Sequence, residues 1–392
     1  MKKKVLFLTT QFDHGGVERS FVEVCKALDP EKYEITLFLR YNKTKLIYLL
    51  PEYVKIVVNK DRHYHRYPKA LFLHAKIKWN RLISNEVKEK SAKQELDEYI
   101  RNEKINNPQN RFFRKTRFDV VVAYTVHLCT EMALAIPAKK HYVFFHSEEA
   151  NFHLDITSRT FPKYDKIVAV GPGVEILLRE NFPQYNDKII QLCNYIDAPK
   201  VFELANKVYD DIKETKNRRK MMLATSARMD KEKAYNLAVG AAKILRENGI
   251  DFEWYFLGDG SERKNIESLI EEYNLQDRIY LKGFVNNPYP YMAECDIYVH
   301  PAHLEAQPLA IMEAIVLGKA IVSTDSLGGK AVLNYGEKGL LVSQNAEAIA
   351  EGIMKFINDP ELRSSFENRY TLEDNMKDKK EYAEKWDALL SE

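Results

Sequence analysis

The sequence predicts an α/β protein built from two doubly wound, parallel-sheet domains, and three observations lead to this prediction. The chain has 392 residues, which is too long for one ordinary hydrophobic core. Short β-branched and aromatic runs alternate with amphipathic stretches in residues 5–192 and again in 221–343. Such alternation is typical of parallel sheets covered by helices on both faces. A charged stretch without a strand pattern, residues 197–220, separates the two series.

The first series predicts an N-terminal domain over residues 1–196. Its predicted strands are VLFLTT (5–10), EITLFL (34–39), DVVVAY (119–124), HYVFFH (141–146), KIVAV (166–170) and KIIQL (188–192). Amphipathic stretches such as VERSFVEVCKAL lie between them. A basic helical insertion is predicted at about 60–117.

The second series predicts a C-terminal domain over residues 197–371. Its predicted strands are MMLATSA (221–227), FEWYFLG (252–258), RIYLKG (278–283), DIYVHP (296–301), KAIVST (319–324) and GLLVS (339–343), with helices near 233–248, 261–274, 308–317 and 346–358. A last helix at about 372–392 is expected to pack back on the first domain. Two such domains facing one another are expected to hold a ligand in the cleft, outside the carboxyl ends of their strands.

Composition favours a globular cytoplasmic protein without a membrane span. Apolar residues make up 45% and charged residues 30% of the chain. The apolar run after Lys4 stops at Gln11, so it predicts a first strand and not a signal peptide. The four cysteines are far apart and form no CxxC pair, which favours a reducing compartment and no structural zinc.

Charge is unevenly distributed along the chain, although the net charge is only +2. Residues 55–118 contain 17 basic and 7 acidic residues, interleaved with aromatic side chains. This stretch predicts contact with an anionic membrane surface, peripheral to the inner face of the cell membrane, which would give access to a lipid-linked acceptor. The alternative is a solvated helical insertion. No nucleic-acid recognition module is present, so nucleic-acid binding is not expected.

Gly15 and Gly16 lie where the first predicted strand turns into a helix. The first amides of a helix lack backbone acceptors, so they suit a phosphate or a polar substrate. A glycine pair is weak by itself, since the G-x-G-x-x-G pattern is absent and an ordinary tight turn explains it equally well.

Arg228 and Lys233 follow the first strand of the second domain. Two cations at the carboxyl end of one strand can both reach a diphosphate, arginine as a planar fork and lysine as a point charge. On spacing alone, a solvated charged turn is the simpler explanation.

The segment HPAHLEAQPLAIMEA carries two glutamates eight residues apart. Pro308 is predicted to be the first residue of a helix, which leaves the amides of Leu309 and Ala310 free to hold a phosphate. Glu305 would then lie in the preceding loop, where a carboxylate can accept hydrogen bonds from sugar hydroxyls. Glu313 would lie inside the helix and could bind a ribose diol. The apolar neighbours of Glu313 argue against an ordinary solvated position.

Several ordered motifs together resemble the retaining glycosyltransferases of family four, which have the GT-B fold and include enzymes of bacterial polysaccharide and lipopolysaccharide synthesis. The resemblance runs from Val5 to about Pro360. The motifs that carry it are HGGVER, NYID, SARMDKEK, FLGDGSER and KGFVNNPYPYMAECDIYVHPAHLEAQPLAIMEA.

The resemblance implies a role for each matching position. Arg228 and Lys233 would neutralise the diphosphate of a nucleotide-sugar donor, and Glu313 would bind the ribose. The transferred sugar would be held by Glu305, approached by His146, and contacted by the backbone of the loop and helix start at Ala306, Gln307, Pro308 and Leu309. The base would lie at Gly283, Phe284 and Val285. The family commonly has glycine and an aromatic residue where this chain has Ala306 and Gln307, which leaves the sugar open.

The function implied is transfer of a sugar, with retained anomeric configuration, from a nucleotide-diphosphate sugar such as a UDP-sugar to a glycan or lipid-linked acceptor of the cell surface. The nucleotide-sugar is a substrate, and no cofactor or metal is expected because the chain has no D-x-D pair. Two alternatives stay open: a non-catalytic GT-B partner subunit and a UDP-sugar epimerase.

Overall fold

The computed structural model describes residues 2–13, 15–41, 44–58, 113, 116–126, 128–146, 154–207, 209, 212, 220–367 and 370–392. They form two compact units. One contains the described residues as far as Phe145 together with 154–168, and the other contains His146 and the described residues from Ala169 to Glu392. The predicted insertion lies almost wholly outside the described residues. The predicted domain boundary at residue 196, the cleft and the packing of the last helix on the first domain stay predictions.

The first sheet has seven strands in the order β3-β2-β1-β4-β5-β6-β7. The strands are β1 (Lys3–Thr9), β2 (Tyr33–Leu39), β3 (Lys55–Val58), β4 (Phe118–Ala123), β5 (Ala138–Phe145), β6 (Lys166–Ala169) and β7 (Ile189–Gln191). The central strands β1, β2 and β4 pair in parallel, and most of their side chains are buried on both faces. Continuous apolar runs such as VLFL are explained by this double burial.

The second sheet has six strands in the order β10-β9-β8-β11-β12-β13. They are β8 (Met221–Ser226), β9 (Phe252–Leu257), β10 (Ile279–Gly283), β11 (Ile297–His300), β12 (Ala320–Thr324) and β13 (Leu340–Val342). All of their pairings are parallel. The prediction of two parallel-sheet domains is therefore confirmed, and the ends of each sequence-predicted strand lie within three residues of their expected places.

The described α-helices follow the strands in the expected alternation. They are α1 (Gly16–Ala27), α2 (Leu128–Leu134), α3 (Leu154–Thr160), α4 (Pro172–Asn181), α5 (Ala198–Ala205), α6 (Tyr235–Glu247), α7 (Arg263–Glu272), α8 (Tyr289–Glu294), α9 (Leu309–Val316), α10 (Leu327–Val332), α11 (Ala346–Asn358), α12 (Pro360–Phe366) and α13 (Leu372–Ser391). Side-chain caps begin several of them: Asn345 accepts from the amide of Ala348 at α11, and Thr371 and Asp374 form a capping box at α13.

Two apolar clusters cover the faces of the second sheet. One packs α6 and α11 against the strands around Trp254 and Phe256, and the other packs α8 and α9 around Tyr255 and Tyr298. The sheet is thus buried on both faces, and polar side chains can collect only where its strands end. None of the helices in the described parts of the chain has the length and apolarity to cross a bilayer.

Candidate active site

The order in which strands are added to the second sheet reverses between β8 and β11. The chain runs from β8 outward to β9 and β10 and then continues with β11 on the other side of β8. Loops at the carboxyl ends of two such strands diverge and leave a crevice, which is where ligands bind in open α/β sheets. Arg228 and Lys233 follow β8, and Glu305 follows β11. The sequence-predicted donor residues therefore follow the two strands at the switch point.

The segment that carries Arg228 is held by the loop after β9. The amide of Met229 donates to the carbonyl of Asp259 over 3.0 Å, and the amide of Glu262 donates to the carbonyl of Met229 over 2.8 Å. A Cβ atom on Gly258 would lie 1.8 Å from the carbonyl oxygen of Ala227, so only glycine allows this approach. The FLGDGSER motif thus supports the neighbouring loop through its backbone.

Arg228 itself is exposed, with 67% of its side chain accessible, and its guanidinium lies 2.9 Å from the carboxylate of Asp230. Ion pairs at such an exposed position contribute little to folding. The guanidinium can therefore exchange this partner for a diphosphate at little cost in stability.

Lys233 ends a short 3₁₀ turn (Lys231–Lys233), and Ala234 next to it has a positive φ of 46°. This backbone conformation turns the chain into α6. The ammonium of Lys233 donates to Oε1 of Glu305 over 2.7 Å, and both side chains are largely buried, at 18% and 11% exposure. A residue after β8 and a residue after β11 are thereby joined.

Glu305 has a second donor, since Nε2 of His300 lies 2.8 Å from the same Oε1 atom. Burial by itself raises the pKa of Glu305, but the hydrogen bond from His300 and the charge of Lys233 outweigh it and lower the pKa to about 2. Glu305 is therefore an ionised carboxylate that accepts hydrogen bonds at neutral pH.

The loop from His303 to Gln307 is fixed by contacts to three other segments. The amide of His303 donates to the carbonyl of Glu232 over 2.8 Å, and the amide of Gly328 at the start of α10 donates to the carbonyl of Glu305 over 2.9 Å. The side chain of Gln307 accepts from the amide of Asn194 over 2.6 Å. The Ala306-Gln307 pair, unusual for the resembled family, therefore ties this loop to the NYID segment.

Helix α9 begins at Leu309, so the prediction that Pro308 is its first residue is wrong by one position. Pro308 has an extended ψ of 101°, while its carbonyl already accepts from the amides of Ile311 and Met312. It is the residue that caps the helix by its backbone. The first helical amides, at Leu309 and Ala310, are still those that lack acceptors within the helix.

Glu313 is buried in α9, as its apolar neighbours predicted. The hydroxyl of Tyr289 in α8 donates to Oε1 of Glu313 over 2.8 Å. This contact orients the carboxylate from a neighbouring helix. Its predicted role, binding the ribose, stays a prediction.

The end of β10 carries the residues predicted to hold the base. Gly283 has a φ of +67°, a left-handed conformation that favours glycine, and the register of β10 against β9 shifts just before it. Phe284 is half exposed, and Val285 packs against the apolar cluster around Tyr255. An exposed aromatic ring next to a turned strand end can stack on a base.

In the first unit, Gly15 precedes α1, which begins at Gly16, so the predicted strand-to-helix turn is confirmed. A Cβ atom on Gly15 would lie 2.9 Å from Oε2 of the buried Glu18. A carboxylate therefore already occupies one side of this turn, which makes a neutral polar ligand more favourable there than a phosphate. His146 directly follows β5 and is half-buried, and its predicted approach to the donor sugar stays a prediction.

Two site residues were missed by the sequence analysis, His300 and Tyr289. His300 is the last residue of a buried strand, and Tyr289 lies in a short helix rich in aromatic residues, so both positions are typical of core side chains. The signal that could have found His300 is its place at the carboxyl end of the strand next to the switch point. Within the described ranges, no three His, Cys, Asp or Glu side chains gather as a metal site would require.

Comparison with known proteins gives a family for the second unit. Residues 209–371 match the family model described as "Glycosyl transferases group 1". This region contains Arg228, Lys233, Glu305 and Glu313 together with all six strands of the second sheet.

Similar proteins cover more of the chain. A 4-alpha-N-acetylgalactosaminyltransferase of Campylobacter jejuni, which acts on N-acetylgalactosamine-N,N'-diacetylbacillosaminyl-diphospho-undecaprenol, is 29% identical over 55% of this chain, and the match spans 56% of that protein. An uncharacterized glycosyltransferase of Haemophilus influenzae is 24% identical over 100% of both chains. The crystal structure of Anabaena Alr3699/HepE in complex with UDP and glucose is similar with a TM-score of 0.70 at 15% identity, covering 99% of each chain.

Proposed function

The chain belongs to the group 1 glycosyltransferases and has the GT-B fold, and from this premise we propose that it transfers a sugar from a UDP-sugar to a lipid-linked or glycan acceptor in cell-surface polysaccharide synthesis. The observation that carries the proposal is the pairing of Lys233 with Glu305 at the switch point of the second sheet. This pairing puts a cation suited to a diphosphate next to a carboxylate suited to sugar hydroxyls.

Each part of a nucleotide-sugar has a matching group in this proposal. Arg228, Lys233 and the amide end of α9 bind the diphosphate, because fixed cations and helix dipoles stabilise the negative charge that develops on a leaving phosphate. Glu313 binds the ribose diol, and Phe284 stacks on the base. Glu305 accepts hydrogen bonds from hydroxyls of the transferred sugar, since its low pKa keeps it ionised.

Bond breaking then follows from charge stabilisation. As the bond between the anomeric carbon and the phosphate oxygen lengthens, negative charge builds on the diphosphate next to Arg228 and Lys233. The acceptor hydroxyl attacks the same face of the sugar, and its proton passes to the departing phosphate oxygen. The new bond therefore has the anomeric configuration of the donor, without a protein nucleophile.

The acceptor class rests on two observations. The Campylobacter relative has a diphospho-undecaprenol substrate in its name, which makes a lipid-linked glycan the first acceptor to test. In the first unit, the turn at Gly15 offers amides next to the carboxylate of Glu18, a combination that suits hydroxyl groups, which both donate and accept hydrogen bonds.

A thermal-shift series with UDP, GDP, ADP and their sugars tests the donor half of the proposal. A ligand present at a hundred times its dissociation constant adds about 2.7 kcal/mol to the stability of the protein that binds it. UDP is expected to raise the melting temperature, and Arg228→Ala is expected to reduce that rise. Arg159→Ala is a matched control. Arg159 lies in the first unit, away from the donor-site residues in sequence; its side chain is 57% exposed and 3.3 Å from the carboxylate of Glu131, which belongs to the same unit.

The reaction itself is tested by incubating UDP-sugars with and without a polyprenyl-diphosphate glycan. Transfer with retained configuration, lost in Glu305→Ala, is the expected result. Donor binding without turnover would favour a non-catalytic subunit, and formation of an epimer without acceptor would favour an epimerase. The absence of any nucleotide-induced shift would contradict the donor-site proposal.

A further inference from the structure

His300 is the buried partner of the carboxylate that faces the predicted sugar position. Its side chain is 2% exposed, and its Nε2 atom lies 2.8 Å from Oε1 of Glu305. The carbonyl of His300 accepts from Oγ1 of Thr324 over 3.3 Å, and its ring is stacked on that of Tyr298. The imidazole is thus held in place from the strand side, independently of any ligand.

We propose that His300 is a positioning residue that holds Oε1 of Glu305 and thereby presents the other oxygen, Oε2, to the transferred sugar. This inference rests on the proposed function of the site. His300 does not touch the sugar, and it acts only through Glu305.

The hydrogen bond between His300 and Glu305 has a definite direction. An ionised carboxylate can only accept a hydrogen bond, so the Nε2 atom facing Glu305 must carry a proton. Within the described part of the chain, Nδ1 of His300 is buried and has no hydrogen-bond partner. Nε2 is therefore the atom through which the imidazole holds the carboxylate.

The arrangement also explains why Glu305 has two donors on one oxygen. The ammonium of Lys233 and the imidazole of His300 both donate to Oε1. When the diphosphate binds, Lys233 can turn to it, because an ammonium on a flexible stem re-pairs easily. His300 remains and keeps Glu305 in position, so the sugar-binding carboxylate does not move when its cationic partner leaves.

The test compares His300→Leu, which removes the donor, with His300→Gln, whose amide nitrogen can donate from nearly the same place as Nε2. Tyr298→Phe serves as a control for disturbing the same strand, since the hydroxyl of Tyr298 contacts the backbone of Ser226 and not Glu305. Melting temperatures of all three variants show how much each change costs the fold.

The first readout does not depend on activity. The pKa of Glu305 is measured by NMR titration of its ¹³C-labelled carboxyl carbon. The signal of this carbon is assigned as the one that is missing from the spectrum of Glu305→Gln. We expect its pKa to rise in His300→Leu and to return towards the wild-type value in His300→Gln, with Tyr298→Phe unchanged. An unchanged pKa of Glu305 in His300→Leu would overturn the proposal, whether or not the protein proves to be a transferase.

The second readout is a mutant cycle on kcat/KM for the UDP-sugar. Misplacing a reacting or positioning group by about 1 Å costs roughly 100-fold, so His300→Leu is expected to lose about 10- to 100-fold while its affinity for UDP alone is kept. In a Glu305→Ala background the same substitution is expected to change kcat/KM less than 3-fold, about the uncertainty of such cycles. An equal loss in both backgrounds would contradict a role that acts through Glu305.

Discussion

Glu305 is largely buried and Glu313 is buried, and different partners hold these two carboxylates of one segment. Glu305 is joined to a cation and an imidazole, whereas Glu313 accepts from the neutral hydroxyl of Tyr289. A carboxylate paired with a cation couples folding to pH, while a hydroxyl donor mainly sets orientation. Two glutamates of similar burial thus predict different mutant behaviour.

Glu305→Gln is expected to lose stability in a manner that depends on pH. The pKa of Glu305 is about 2 in the native protein against an ordinary value of 4.5, so the native state favours the ionised form. Its contribution, on the order of 3 kcal/mol, is therefore complete above pH 4.5 and is lost as the pH falls towards 2. Urea unfolding of the wild type and the variant at pH 7, 4 and 3 measures the difference. A gap of equal size at pH 7 and pH 3 would show that the pairing does not stabilise the ionised form.

Tyr289→Phe is expected to lower the free energy of unfolding by about 1–3 kcal/mol, because it removes a donor from a buried carboxylate. The affinity for UDP should fall as well, since Glu313 would lose a hydrogen bond that helps to orient it for the ribose. Chemical unfolding and calorimetric titration with UDP measure the two effects. Tyr280→Phe is the matched control: its hydroxyl donates a long, exposed bond to the carbonyl of Asp277, and neither quantity should change by much.

At the scale of whole elements, the site depends on close contacts between backbone segments, and these contacts are possible only because glycines lie at them. Gly258 lies against the carbonyl of Ala227 before Arg228, and a Cβ atom on Gly328 in α10 would lie 2.2 Å from the carbonyl of Glu305. Loops and helix starts are therefore packed directly on one another. This backbone packing therefore fixes the positions of the site side chains that these loops and helix starts carry.

Gly258→Ala is expected to displace the segment after β8 and to weaken UDP binding by at least about 10-fold, since a Cβ atom would lie 1.8 Å from the carbonyl oxygen of Ala227. Gly352→Ala is the control, because its added Cβ would be 3.0 Å from Val322 and Val342 inside the apolar cluster of α11. Thermal shifts with and without UDP distinguish the two variants. The idea fails if both lose the same fraction of the UDP-induced shift.

At the scale of the whole molecule, the two parallel sheets repeat one plan. Each chain series starts in the middle of its sheet, at β1 or β8, and crosses back after two further strands, so each sheet has its own switch point. The chain as a whole has a net charge of +2, whereas residues 55–118 have a surplus of basic residues, 17 against 7. A polyanionic partner is therefore expected to bind this part of the sequence.

The protein is expected to bind vesicles that contain anionic lipid and to be released by salt. Each basic residue near an anionic surface contributes about 1 kcal/mol, and this attraction is screened beyond about 10 Å at 0.1 M salt. Sedimentation with neutral and anionic vesicles at low and high salt measures it. Equal binding to both kinds of vesicle would leave only a solvated insertion as the explanation.

Most of the fold could be predicted from local patterns, because continuous apolar runs and helical spacing are set by residues close in sequence. The helix α9 and the burial of Glu313 were predicted in this way. The start of α9 was misplaced by one residue, since the ψ of Pro308 depends on the loop before it. The short strand β3 (Lys55–Val58) was missed because its alternation is weak and two of its four residues are exposed.

The sequence by itself determined the two strand-and-helix series, the family motifs and the residue types that suit a diphosphate, a ribose and a sugar, because these depend on neighbouring residues and on spacing. Only the tertiary structure decided which of these groups meet. Lys233 and Glu305 are 72 residues apart, and Tyr289 and Glu313 are 24 apart, so no local pattern could pair them. The physical reason is the parallel order of the sheet, which brings the ends of β8 and β11 together and leaves His300 as the buried partner of Glu305.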